Sequence, residues 1–557
     1  MRKRALLGLG SLFFLAAAAY AGKNTGQARQ FFQQIPKNQR TLQALNRLTF
    51  GPRSGDVERV RAMGLKKWID LELHPERTPE NPVLEDKLKT LDSLAMTSDQ
   101  LVRNYPPPQI VRQMVAGQVP FPSDPDRRLM IQKLVVRYEK RQGQANPNEP
   151  GPQEIAAILT PDEIHSLRTG TPQQRLAAFQ ALPKDKQDDV IAALPAAMRQ
   201  NLFAVAPPEL RRRVELANGP EQVVARDLME GKLLRAIYSN RQLDEVLVDF
   251  WFNHFNVFLD KGADHYLVTE YERDAIRPHV LGKFKDLLEA TAKSPAMLFY
   301  LDNWQSAGPG NGARRGLNEN YGRELLELHT LGVDGGYTQK DVTEVARCFT
   351  GWTIDQPQRG GKFVFTPRLH DKGEKVVLGV KIPAGGGIED GETVLDILAH
   401  HASTARFISK KLAMRFVADD PPATLVDRMA RTFLKTDGDL RAVMKTMIDS
   451  KEFWSVGAYR SKMKSPLEMV ASAVRAANGD VDSAIALANQ VAQLGQPLYR
   501  KPEPTGYSNS SREWVNSAGL LARMNFALQL AGNRVPGVKV DTAVTGVELG
   551  SPEFQKH

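Results

Sequence analysis

Apolar side chains recur at helical spacing along most of this 557-residue chain, and that period constrains its fold more than any other feature. Runs such as 43–48, 57–63 and 65–73 place apolar residues three or four positions apart, as amphipathic helices require. The pattern continues through 221–350 and from Glu392 to about residue 532. Residues 362–380 depart from it, because two β-rich segments flank Asp371-Lys372-Gly373, which predicts a β-hairpin. The sequence therefore predicts a mainly α fold, a large multi-helix body with one small β-hairpin excursion.

A proline repeat marks an insertion between residues 140 and 220. Each proline opens a short run with apolar residues at helical spacing, and proline suits the first turn of a helix. A polar stretch rich in proline and glycine, 140–152, precedes the repeat and is typical of a linker. Helices this short cannot bury a face alone, so we expect a string that stacks together or docks on a larger body. The prolines follow at steps of 11, 11, 12 and 12 residues, as Pro161, Pro172, Pro183, Pro195 and Pro207.

The N-terminus has the pattern of a secretory signal peptide. A basic start, Arg2-Lys3-Arg4, precedes the apolar run 6–18, and Ala19-Tyr20-Ala21 supplies small residues where a signal peptidase cleaves. The apolar run is short for a membrane span, although a retained anchor is the alternative. We therefore expect residues 1–21 to be removed and the protein to be exported, to the periplasm or outside the cell, with no transmembrane span left. The remaining parts are then 22–139, the insertion 140–220, the main body 221–532 and a loose tail, 533–557.

Composition excludes several classes of protein. The single cysteine, Cys348, excludes internal disulfides and multi-cysteine metal sites. Losing Arg2, Lys3 and Arg4 with the signal segment would reduce the formal net charge from +10 to +7, a mild excess for this length. Basic runs are short and lack interleaved aromatic residues, so we do not expect nucleic-acid binding.

His254 is the first candidate functional residue. On a helix over 246–257 it falls inside the apolar stripe, between Leu247 and Phe250. A buried imidazole without a hydrogen-bond partner is unfavourable, so something must bind it. The sequence leaves open whether it is a core histidine satisfied by its neighbours or a catalytic or metal-binding residue.

Glu324, Glu327 and His329 form the second candidate group. On a helix over 317–331, Glu324 lies at the edge of the apolar face, Glu327 extends the same strip and His329 lies on the opposite border. Buried carboxylates shift their pKa or find a cation, so these residues belong either to an Arg–Glu packing network or to an acid–base or metal site. Glu324 and His329 are five residues apart, which is not a metal-binding spacing, and a divalent metal remains only an open possibility. His370, next to Asp371 at the predicted hairpin tip, is either free to reach across a cleft or part of a polar turn.

Several segments resemble one large bacterial family, the "domain of unknown function 1800" family. The resemblance spans nearly the whole chain after the signal segment, the insertion 140–220 excepted, and Gly322 stands where the family motif usually has alanine. It implies an exported protein of unassigned biochemistry. The segments are 45–52 (LNRLTFGP), 250–255 (FWFNHF), 297–303 (MLFYLDN), 318–332 (NENYGRELLELHTLG), 335–339 (GGYTQ), 349–352 (FTGW), 370–371 (HD) and 407–412 (FISKKL).

Two functional hypotheses follow. The first is an accessory or binding protein in which buried polar residues hold a helical body together and whose partner is another exported protein or an envelope polymer. The second is a hydrolase- or lyase-like enzyme, in which His254 and Glu324 meet in one pocket and Glu327, His329 and His370 join them. Contact between His254 and Glu324 at the floor of an open cleft would favour the enzyme.

Overall fold

The computed structural model describes residues 29–141, 152–194, 196–203, 206–309, 316–541 and 544–557. Within these ranges helices dominate and strands are few and short, which confirms the prediction of a mainly α fold. The predicted signal segment, 1–21, and most of the predicted linker lie outside the described residues.

The N-terminal helices pack on the main body. Leu45 and Trp68 belong to the same apolar cluster as residues near the C-terminus, such as Leu549. A second cluster joins Leu101 and Tyr105 to the helices that follow the insertion. The α-helices of this part are Lys37–Leu48, Asp56–Met63, Leu65–Leu73, Pro82–Lys89, Ser98–Asn104, Pro108–Val115 and Pro125–Arg141.

The insertion is a string of short helices with an apolar cluster of its own. Phe179 and Ile191, both with 0% of their surface exposed, lie at its centre. The side chains of Thr160 and Thr171 cap the helices opened by Pro161 and Pro172, as the proline repeat predicts. The short helices therefore bury their apolar faces largely against one another. They are Pro152–Ile158, Pro161–Arg168, Pro172–Gln180, Lys184–Ala193, Ala196–Phe203 and Pro208–Asn218.

The main body surrounds one large apolar core, in which Trp251 and Trp352 are fully buried. Two of its segments are π-helical, Tyr271–Ile276 and Leu325–Thr330. Its α-helices are Glu221–Tyr238, Gln242–His254, Asp264–Glu270, Phe284–Ala292, Pro295–Tyr300, Glu319–Glu324, Gln339–Cys348, Glu389–Ala399, Ala402–Phe416, Ala423–Lys435, Leu440–Ile448, Pro466–Ala476, Ile485–Gln493 and Ser517–Ala531.

The β excursion contains two small antiparallel pairs instead of the single hairpin predicted over 362–380. Trp352–Ile354 pairs with Phe363–Phe365, with Trp352 opposite Phe365. Lys375–Val377 pairs with Val380–Ile382 across a two-residue turn at Leu378 and Gly379, whose φ angles are 49° and 81°. Two positive φ angles suit the twist of a tight hairpin, so the second strand finds its partner locally. The predicted pairing was wrong, although both predicted strand segments are strands.

The C-terminal residues are not the loose tail predicted for 533–557. Val538–Lys539 pairs with Asp480–Val481, and the helices Gly546–Gly550 and Pro552–Gln555 follow. The last residue, His557, is buried, and its backbone exchanges hydrogen bonds of 2.9 and 3.2 Å with that of Lys462. The apolar residues of this segment are too few to show a helical or strand period in the sequence, but they pack against the main apolar core.

Candidate functional site

His254 ends the helix Gln242–His254, called here the His254 helix, and lies in the core with 2% of its surface exposed. Its ring packs edge-on against Phe255, with centroids 4.5 Å apart. Both ring nitrogens have polar neighbours, as a buried imidazole requires. Nε2 lies 3.1 Å from the carbonyl oxygen of His329, and Nδ1 lies 2.8 Å from Nζ of Lys411.

The candidate group near residue 325 lies where an α-helix becomes a π-helix. The segment is α-helical over Glu319–Glu324 and π-helical over Leu325–Thr330. The amide of Leu331 donates to the carbonyl of Leu326, five residues back, at 2.8 Å. The wider turn shifts later residues from the 100° spacing of an α-helix, so faces assigned from that spacing fail beyond residue 325. His329 is 2% exposed, and its Nε2 has no hydrogen-bond partner within the described chain.

Glu324 and Glu327 are only half-buried. Burial, and then the charge of Glu327, raise the pKa of Glu324. The hydroxyl of Tyr337 donates to Glu327 at 3.1 Å. Among the residues that the structure describes, no hydrogen bond or ion pair joins His254 to either glutamate. Arg323 donates to the side-chain oxygen of Gln339 at 2.7 Å, and its charge opposes the raised pKa of Glu324 without outweighing burial and Glu327.

His370 is buried and not free to reach across a cleft. Its Nδ1 lies 2.7 Å from the carbonyl oxygen of Thr350, and its Nε2 lies 3.1 Å from Oδ2 of Asp390. Nζ of Lys375, with 0% of its side chain exposed, contacts the same carboxylate oxygen at 2.6 Å. Of the two alternatives left open for His370, the structure contradicts the one in which it reaches freely across a cleft, because Lys375, on a strand, and Asp390, on the helix Glu389–Ala399, cover it.

The His254 centre contains two imidazoles and an amine. Burial, with the nearby charge of Lys411, holds the pKa of His254 well below its usual value and lowers that of His329 to about 3. Burial also lowers the pKa of Lys411 to about 8. In the described part of the chain, no three His, Cys, Asp or Glu side chains are grouped so that they could hold a metal ion. The centre is therefore suited to chemistry of a neutral amine beside a neutral imidazole.

The other end of the His254 helix borders a surface cleft of about 500 Å³. Its walls come from separate parts of the chain, among them the helices Glu221–Tyr238 and Leu440–Ile448. We call it the arginine cleft, after its charged lining: Arg235, Arg241, Arg277, Arg441, Glu76, Glu80, Asp244 and Glu245.

One wall of the arginine cleft is fixed by a buried ionic network. Arg277 lies 2.7 Å from a carboxylate oxygen of Glu245 and 3.4 Å from one of Glu272. Nζ of Lys232 lies 3.4 Å from the other carboxylate oxygen of Glu272. Burial alone would raise the pKa of Glu272, but the charges of Lys232 and Arg277 outweigh it and lower this pKa to about 2. Arg277 and Glu245 are therefore held in place before any ligand binds.

Arg235 and Asp244, in contrast, line the cleft without a side-chain hydrogen bond in the described chain. Within the described ranges, the Arg235 guanidinium makes no hydrogen bond and no ion pair, while burial and the charge of Arg277 lower its pKa. The nearest cation to Asp244 is Arg277, at 4.0 Å. Burial, and then the charge of Glu245, raise the pKa of Asp244 to about 7. A guanidinium without a hydrogen-bonded partner in the described chain, influenced by the charges of Glu245 and Glu272, thus shares one cleft with a carboxyl group whose pKa is raised to about 7.

The profile of one family, described as a protein of unknown function (DUF1800), matches residues 43–555. The chain belongs to this family. The match confirms the resemblance inferred from the sequence and covers nearly the whole length of this protein. No curated protein and no solved structure matches it. In the described parts of this DUF1800 protein, no helix has both the length and the apolar character that a membrane crossing needs.

Sequence reasoning missed the arginine cleft of this DUF1800 protein for an identifiable reason. Asp244 and Glu245 lie in the first turn of the His254 helix, where acidic residues are common because they complement the helix dipole. Arg235 belongs to a helix without a marked apolar face. The available signal was the position of these two acids in the sequence. Asp244 and Glu245 lie between Leu243 and Val246, both apolar and both buried, so at least one acid had to face the interior.

Proposed function

We propose that this DUF1800 protein is an exported binding protein, and that its arginine cleft binds the anionic groups of an acidic polymer of the cell envelope or the extracellular space. The unpaired guanidinium of Arg235 in the wall of the cleft carries this proposal. Arginine presents a planar fork of donors that matches carboxylate and phosphate oxygens. A bound anion would supply the partner that the protein itself does not provide.

The charges around Arg235 support an anion over a cation. Glu80 is already occupied, since it accepts hydrogen bonds from Ser239 at 2.8 Å and from the amides of Asn81 and Asn240 at 2.7 and 2.8 Å. Glu245 is paired with Arg277, as described above. Because its pKa is about 7, Asp244 is partly protonated at neutral pH and can then donate a hydrogen bond to a ligand oxygen.

Export is supported by the pattern of residues 1–21, and the formal net charge of +7 that would remain without Arg2, Lys3 and Arg4 is compatible with an acidic partner. The alternative, a hydrolase- or lyase-like enzyme with an acid–base pair of His254 and Glu324, has less support. Those two side chains share no hydrogen bond or ion pair in the described chain.

Calorimetric titration of the protein with polygalacturonate, polyphosphate and neutral dextran tests the proposal. We expect binding of an acidic polymer that weakens as ionic strength rises, and none of dextran. Arg235→Gln should weaken this binding at least tenfold. The matched control is Arg368→Gln, an exposed arginine outside the cleft, which should change the affinity less than twofold. Failure to bind either acidic polymer, or equal effects of the two substitutions, would refute the proposal.

A further inference from the structure

Lys411 is an unusual lysine because a histidine, and no acid, is its partner. It lies on the helix Ala402–Phe416, is partly exposed, and places Nζ 2.8 Å from Nδ1 of His254 and 5.5 Å from the ring centre of Phe407. Among the described residues it forms no ion pair with a carboxylate. The titratable groups that face it are the imidazoles of His254 and His329.

The hydrogen bonds of His254 fix its tautomer. The carbonyl oxygen of His329 can only accept a hydrogen bond, so the nitrogen 3.1 Å away, Nε2, carries the ring proton. In a neutral ring Nδ1 then has a free lone pair, and this atom faces the amine of Lys411. The imidazole is therefore placed to accept a proton from that amine.

Burial among apolar rings and imidazoles favours the neutral form of the amine. At a pKa of about 8, about one-tenth of the amine is neutral at pH 7, against about 1 in 2,500 for an ordinary exposed lysine. A neutral lysine amine is the nucleophile that attacks carbonyl carbon in imine chemistry.

We infer that Lys411 is an imine-forming site for aldehydes or ketones, with Nδ1 of His254 as the acceptor of the amine proton. Nζ attacks the carbonyl carbon, a C–N bond forms as the π bond of the carbonyl breaks, and His254 transfers a first amine proton to the carbonyl oxygen, which becomes a hydroxyl group. His254 then takes the second proton from nitrogen and gives it to that hydroxyl group, which leaves as water as the C–O bond breaks and the C=N bond forms. The balance is one amine and one carbonyl to one imine and one water, without any oxidant or reductant. This activity is independent of the arginine cleft.

The test is reductive trapping on the full chain. The protein is treated with propionaldehyde and sodium borohydride from pH 6 to pH 10, and modification of each lysine is measured by tandem mass spectrometry. Lys410, the exposed neighbour on the same helix, is the internal control and needs no substitution. We expect Lys411 to be modified at least tenfold more than Lys410 at pH 7.5, with half-maximal modification near pH 8. Equal modification of the two lysines, or no modification of Lys411 up to pH 9, would overturn the inference and leave a structural hydrogen bond.

Two variants test the role of the imidazole. Lys411→Arg keeps a cation on the helix and should abolish trapping at this position while leaving the circular dichroism spectrum unchanged. His254→Asn should slow modification of Lys411 at least fivefold at pH 7.5 without changing modification of Lys410. An unchanged rate in a folded His254→Asn protein would remove His254 as the proton acceptor. If that variant does not fold, the pH profile of Lys411 against Lys410 in the unaltered protein decides the matter alone.

Discussion

Replacing Lys232 with methionine would test the ionic network behind the arginine cleft. Lys232 is 8% exposed at its side chain and lies 3.1 Å from Asp249 and 3.4 Å from Glu272, which is itself 4% exposed. Removing one member of a buried ion pair costs about 3–5 kcal/mol, because the remaining charge stays buried. Arg277 and Tyr499 still contact Glu272, at 3.4 and 2.7 Å, so the lower part of that range applies. We expect Lys232→Met to lower the free energy of unfolding by about 3 kcal/mol at pH 7.

The pH dependence supplies a second measurement. The folded-state pKa of Glu272, about 2, lies below its ordinary value near 4.5, so the ionised form stabilises the fold above pH 4.5. That contribution is lost as pH falls from about 4.5 to 2. Since Lys232 is one source of the lowered pKa, the difference in stability between the variant and the unaltered protein should shrink over this range.

Urea denaturation followed by circular dichroism at pH 7, 5 and 3 measures both effects. The matched control is Lys381→Met, because Lys381 forms an exposed ion pair with Glu374 at 2.8 Å. Such surface pairs contribute at most about 1 kcal/mol. Equal losses for the two methionine variants, or a difference that does not shrink in acid, would refute the reasoning.

Three further substitutions have predicted effects on urea denaturation. Asp244→Asn should stabilise the protein by up to about 4 kcal/mol at pH 8 and little at pH 4. The reason is that a folded-state pKa of about 7 makes ionisation of Asp244 unfavourable as pH rises from about 4 to 7. A gain in stability that does not depend on pH would contradict this. Gly322→Ala adds a methyl group 2.8 Å from the carbonyl oxygen of Val342. Overpacking of about 1–3 kcal/mol should outweigh the gain in helix propensity of about 1 kcal/mol, so the variant should be less stable. A higher urea concentration at the unfolding midpoint would show that the two helices separate easily. Asp390→Ala leaves the buried amine of Lys375 without its carboxylate and should lower the free energy of unfolding by about 3–5 kcal/mol. A decrease below about 1 kcal/mol would mean that water hydrates the amine in the variant.

The sequence by itself determined the helical body, the short helices of the insertion, membership of DUF1800 and the burial of His254. These features depend on residues within a few positions of one another, because backbone hydrogen bonds of a helix join positions four apart and its apolar stripe repeats every 3.6 residues. In the π-helix Leu325–Thr330 the backbone hydrogen bonds join positions five apart, so the assignment of helix faces from the 3.6-residue period failed there.

Only the tertiary structure decided which side chains meet. His254 lies 2.8 Å from Lys411, 157 positions away, and among the described residues it shares no hydrogen bond or ion pair with Glu324. Arg277 pairs with Glu245 in a cleft that also contains Arg235 and that no local spacing indicates. The physical reason is that an amphipathic stripe specifies which face of a helix is buried, but not which of the many similar stripes covers it. That choice is made by side-chain shape and by the pairing of buried charges across the whole core.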